Sequence, residues 1–165
     1  MNFSETTLQI LYNGNWTEKR LLPNEQFLDK YKKAGYTIHP SALDILQRFG
    51  NLSFSFPTKT KGKPKALKGY IQNFHFNVDR TFSVCDKEDI DDFGKCIGTI
   101  LCPVGESDNR HSIVTIAEDG RVFAYQDAFI SLYGNNYVDA MEVLCKEKQP
   151  IKMLIYDGKP LNFLV

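Results

Sequence analysis

No apolar run in this sequence approaches the roughly 20 residues of a membrane-spanning helix. Its opening, MNFSETTLQILYNGNW, lacks the basic start and apolar run of a secretory signal, so the expected address is the cytoplasm. Net charge is also missing: twenty Lys and Arg balance twenty Asp and Glu. That balance removes any global attraction to nucleic acid or an anionic membrane. Only three histidines occur, His39, His75 and His111, far apart and outside any H-E-x-x-H or paired Cys/His pattern. No metal site is expected. Cys85, Cys96, Cys102 and Cys145 form no C-x-x-C pair, and free buried thiols are expected rather than disulfides. None of the eleven glycines falls in G-x-G-x-x-G or G-x-x-x-x-G-K-[ST], and G-x-S-x-G is absent. Nothing in the chain selects a nucleophile, a phosphate cradle or a cofactor, so no enzyme is expected.

What the sequence does have is aromatic side chains: 12 Phe, 8 Tyr and the single Trp16, a composition that favours sheet. Ser4 is placed to cap a helix, with Phe3 and Leu8 as a staple, Leu8, Leu11 and Tyr12 on one face, and Gly14 at its end. Phe27, Leu28, Tyr31 and Ala34 have helical spacing between Asn24 and Gly35. In SALDILQRFGNLSFSF, Ser41 and Asp44 form a capping-box pattern and Ala42, Leu43, Leu46 and Phe49 an apolar face. Gly50 falls where a left-handed cap is wanted, and Leu52, Phe54 and Phe56 then alternate as a strand. Phosphate loops open helices, whereas Gly50 closes one, so a structural corner is expected.

PTKTKGKPKALK, with five lysines and no acid, reads as a long exposed loop over residues 57–68; it has no interleaved aromatics to stack bases, and direct nucleic-acid binding is not expected. YIQNFHFNV reads as a strand in which His75 faces solvent or makes one hydrogen bond. DKEDIDDFGKCIG gives a helix with Ile90, Phe93 and Ile97 inward and acids crowded into its first turns. TILCPVG is a short strand, and HSIVTIAEDGRVFAYQ is a hairpin whose Asp119-Gly120 predicts a type I′ turn. Tyr137, Ala140, Met141, Leu144 and Cys145 define the last helix, capped by Asn135 or Asn136, with Lys146 and Lys148 suiting its C-terminal dipole. IKMLIYDGKPLNFLV looks like a hairpin turned at Asp157-Gly158, which adds strands to the sheet edge or pairs with another chain. The expected fold class is α+β: an antiparallel-rich sheet with helices packed on it, in one domain spanning 1–165, with a core over about 8–148 and an extension at 150–165.

NGNWTEKR, KAGY, PSALDILQRFGNLSF, FHFN, IGTILCPVG, EDGRVFAY and LYGNNYVDAMEVL occur in that order over about residues 10 to 148. In order and spacing the chain resembles the SUKH superfamily of bacterial immunity proteins, most closely its third group. Asn51 stands where that family usually has a second glycine, and Phe123 replaces a common tyrosine; the lysine loop and the tail after Pro150 are additions. The resemblance implies an α+β domain that binds and neutralises a cognate toxin stoichiometrically, often the nuclease domain of a polymorphic secreted toxin, without catalytic residues or cofactors. It also implies that Trp16, Arg20, Gly50, Gly105 and Gly120 serve turns and packing. The alternative within the same superfamily is an interaction module with a non-toxin cellular partner. The protein is expected to be a monomer or weak homodimer. Asp86, Glu88, Asp89, Asp91 and Asp92 lie within seven residues of an otherwise neutral chain. Acids gathered this way suit the basic surface of a nuclease, and this segment is the candidate border of the toxin interface.

Overall fold

The computed structural model describes residues 2–57, 69–127, 129–146 and 148–155. Among these, six α-helices surround a seven-stranded sheet: α1 (Glu5–Asn13), α2 (Glu25–Lys33), α3 (Pro40–Phe49), β1 (Ser53–Pro57), β2 (Ile71–His75), α4 (Val78–Phe82), α5 (Lys87–Ile97), β3 (Leu101–Ser107), β4 (Ser112–Ala117), β5 (Val122–Gln126), β6 (Phe129–Gly134), α6 (Tyr137–Leu144) and β7 (Lys152–Ile155). The strands lie in the order β1 to β7, each antiparallel to the next. The expected α+β class with an antiparallel sheet is what is found. α4 and β6 went unread from the sequence. The lysine-rich segment 58–68 and the expected turn at Asp157-Gly158 lie outside the described residues, but IKMLIY does supply β7 against β6.

Side chains alternate between two faces of the sheet, and both faces are buried, which makes three layers. Phe54, Phe74, Cys102, Val104, Val114, Ile116, Val122 and Ala124 meet α1, α2, α3 and α6 in a first core rich in aromatics. Leu101, Ile113, Ala117, Phe123, Tyr125 and Ile130 meet Ile90, Phe93 and Ile97 of α5 in a second, smaller core. Strands buried on both sides explain why β3 and β4 show no polar alternation.

Three details of local chemistry differ from the sequence reading. His39, not Ser41, caps α3: its Nδ1 accepts from Ala42 N, and Pro40 occupies the first helical position, where its missing N–H is no loss. Ser41 lies inside the helix and donates to Glu118 O at 2.8 Å, while Asp44 pairs with Arg48 one turn on. At the corner that follows, the left-handed residue is Asn51 (φ 64°), whereas Gly50 is extended (φ −51°, ψ 141°). Gly50 is glycine for space: a Cβ there would strike Leu46 O and come within 2.6 Å of the Phe27 ring. The β4–β5 hairpin is not type I′, which needs positive φ at both central residues. Gly120 N–H donates to Ala117 O, closing a turn over Glu118 and Asp119, and only Gly120 (φ 91°) is left-handed, in the position after the turn. That is the longer hairpin loop in which a glycine follows the turn.

The sheet has one thin joint. β2 meets β3 at a single residue pair, His75 with Glu106, beside a bulge at Pro103–Gly105. Gly105 lets the strands approach: a Cβ there would run into the His75 carbonyl. The Tyr31 hydroxyl, wholly buried, donates to Pro103 O and seats α2 on the bulge.

Candidate partner-binding surface

The five acids singled out in the sequence sit at the start of α5. Ile90, Phe93, Gly94 and Ile97 face the sheet, which turns the acids outward. Asp86 is the N-cap, accepting from Glu88 N at 2.8 Å, so this carboxylate is spent partly on its own helix. Asp91 pairs with Lys87, and Asp92 with Lys95 at 2.7 Å. Glu88 and Asp89 are exposed and make no side-chain hydrogen bond or ion pair among the described residues. The segment is brought together on one helix, as expected, but its field is reduced by two lysines of the same helix.

Four of the five motif residues lie around the thin joint and the first core, and Gly120 lies in the β4–β5 turn. Trp16 is buried, stacks on Phe49 (centroids 5.7 Å, planes 7° apart) and on Tyr12, and meets Phe3 edge-on. Its indole N–H has no hydrogen-bond partner among the described residues, so its contribution is apolar contact. Arg20 Nη2 donates to Gly50 O at 2.8 Å, tying the segment after α1 to the corner after α3. Gly50, Gly105 and Gly120 each stand where the backbone needs the absence of a Cβ: two for close approach and one for positive φ.

Two buried features were not visible in the sequence. Glu142 of α6 reaches across 138 residues to accept from Ser4 N at 2.7 Å, capping the start of α1 with a carboxylate. Of the two expectations for His75, the structure shows the second: the ring is buried and makes one hydrogen bond. Its Nδ1 accepts from Asn77 N, which places its proton on Nε2, 3.2 Å from the buried Glu106 Oε1. Desolvation holds His75 below the usual histidine range, against the opposing pull of Glu106. His39 is likewise depressed by burial, its ring bridging Ala42 N and Ile116 O. No sequence spacing links His75 to Glu106; only strand register brings them together.

All four cysteines are free, Cys102 and Cys145 fully buried. Burial pushes the Cys102 thiol up to about 11 and also raises Cys85, the opposite of a reactive thiolate. No group of three or more His, Cys, Asp or Glu among the described residues is placed to hold a metal ion. No described helix is long and apolar enough to cross a membrane. An open groove of about 470 Å³ lies on the first face of the sheet beyond α6, with Asp108, Ser131, Tyr133 and Lys146 in its lining. Its polar groups are mutually engaged: Tyr133 and Lys146 both donate to Asp108.

The family model of the SUKH-3 immunity protein matches residues 3–147, nearly nine-tenths of the chain, and the protein belongs to that family. No curated protein and no solved structure gives a significant match. The matched region holds all six helices and β1–β6; β7 lies beyond it.

Proposed function

We propose that this protein works in the cytoplasm by binding a cognate polymorphic-toxin domain one to one and blocking its action, and that the toxin is a nuclease. The observation that carries the reading is the family match along residues 3–147, which takes in every described helix and all the described strands but β7. Immunity of this kind is stoichiometric, so it requires a preorganised surface and no reacting group. The protein acts as a monomer or weak homodimer and uses no cofactor. The outer face of α5, with Glu88 and Asp89 free and Asp86, Asp91 and Asp92 beside them, borders the toxin interface. Charge complementarity there speeds encounter with a basic surface and fixes register.

The test is protection in cells. The domain proposed as its cognate toxin, sought first among the products of the neighbouring genes, is expressed under tight control, alone and with this protein. The proposal predicts growth arrest alone and rescue on co-expression, and loss of rescue when Asp89, Asp91 and Asp92 are all reversed to Lys. Rescue that survives the triple reversal undiminished removes α5 from the interface. No rescue by the wild-type protein overturns the cognate pairing.

A further inference from the structure

The turn joining β3 to β4 is the most strained stretch of described backbone. Asp108, Asn109 and Arg110 are three successive non-glycine residues with positive φ (50°, 56° and 75°). A non-glycine residue held there is strained, and such turns persist only where their surroundings over-determine them. Here three anchors do so. Tyr133 and Lys146 hold the Asp108 carboxylate at 3.0 and 2.6 Å. Asn109 Oδ1 accepts from Asn73 N at 2.9 Å. Arg110 folds back so that its Nε donates to Glu106 Oε2 at 3.3 Å.

Glu106 is 1% exposed and receives a second guanidinium from the other side. Arg80, from α4, brings its Nε to 3.8 Å from Glu106 Oε1. Both arginines approach through Nε, and both are about half exposed (43% and 51%). The terminal nitrogens of both have no protein partner among the described residues. With His75 neutral, the group carries two positive charges on one buried negative one, an excess of one. His75 Nε2 and Glu106 Oε1 stand 3.2 Å apart without a hydrogen bond, so the strained turn supplies, through Arg110, the hydrogen bond that the Glu106 side chain does accept among the described residues, and Arg80 adds its charge at 3.8 Å.

We infer that Arg80 and Arg110 form a paired fork, oriented by Glu106, that receives a carboxylate side chain of the protein partner. This rests on the reading of the chain as a partner-binding protein. Glu106 is a positioning residue: it accepts a hydrogen bond from Arg110 Nε and draws Arg80 toward it by charge, so that the free edges of both guanidiniums present N–H groups to one anion. Glu106 pairs in register with Ile113, which packs under α5, so the fork opens on the same side of the sheet as the acids of α5. The partner surface is therefore basic opposite α5 and acidic at one point opposite the fork, a mixed pattern that fixes register and rejects surfaces of uniform charge.

The test uses a probe independent of any toxin. The Nε–Hε NMR signals of Arg80 and Arg110 are followed while a blocked Gly-Glu-Gly tripeptide amide is added at constant ionic strength, with Gly-Gln-Gly as control and inorganic phosphate in a parallel series. Both signals are expected to move together and saturably with the glutamate peptide and stay still with the glutamine one. Arg80→Lys, which keeps the charge and loses the fork, is expected to weaken binding about tenfold. Glu106→Gln, if folded, is expected to uncouple the two signals. Unmoved signals, equal response to the glutamine peptide, or equal affinity in Arg80→Lys would overturn the fork. Tighter binding of phosphate than of the peptide would overturn its assignment to a protein carboxylate. Failure here leaves toxin binding standing, and failure of toxin binding leaves this result unaffected.

Discussion

The two faces of the sheet are built on different principles. The first is aromatic and nearly neutral: Trp16, Phe49, Phe54, Phe74 and Phe76 pack ring on ring beneath four helices. The second is a smaller apolar patch under one helix, with Glu106 and His75 buried at its edge and arginines and acids around it. Dispersion and burial hold the first face and tolerate little change in volume. The second face keeps charges that are costly to bury and that well-packed apolar residues could replace at little or no loss of stability. On the proposed reading, the first side serves folding and the second recognition.

That division predicts a ranking of effects. Trp16→Ala, on the first face, is expected to cost about 3–5 kcal/mol in chemical denaturation. A cost near zero would mean the aromatic stack is not the anchor of the fold. Gly105→Ala pushes β2 away from β3 at their only residue pair and is expected to cost about 1–3 kcal/mol or more. Next comes acid sensitivity. His39 on the first side and His75 on the second are both held below the unfolded histidine value of about 6.5 by desolvation. Below that value the unfolded chain binds protons that the folded one refuses. The stability these rings contribute is whole above about pH 6.5 and is lost progressively as pH falls below it. Urea melts across that range show the slope, and His75→Gln flattens it in part. A slope unchanged by removing either ring contradicts their buried neutral state. The smallest effect on stability is expected on the outer face of α5: reversing Asp89, Asp91 and Asp92 shifts stability by about 0.5 kcal/mol or less per site. The same change slows association with a basic toxin by about tenfold at low salt, a loss that high salt erases.

Much of the first face was legible because periodicity and capping are local. Ser4, the Phe27–Tyr31 spacing and the Tyr137–Leu144 spacing each mark a helix within one or two turns of chain. What was missed depends on distance in sequence. α4 is a five-residue helix, too short to show a period, and β6 begins with Phe-Ile-Ser-Leu-Tyr, in which apolar residues fall on both faces. His39 was passed over as a cap because histidine rarely plays that part, although Pro40 after it was a usable signal. The glycine corner was placed correctly but for the wrong atom: its left-handed residue is Asn51, and Gly50 is needed because Phe27 comes from another helix. The α5 acids could be read directly. The Glu106 group could not, since its members come from β2, α4, β3 and the turn after it and share no spacing.

The measurement that bears most directly on the division between a folding face and a recognition face is calorimetric titration of this protein into an inactivated form of the domain proposed as its cognate toxin. One-to-one binding with Kd of about 1 nM or below, near −12 kcal/mol, is predicted for the wild type, together with clear weakening in the α5 triple reversal. No heat of binding, or a triple reversal that binds as tightly as the wild type, would contradict it.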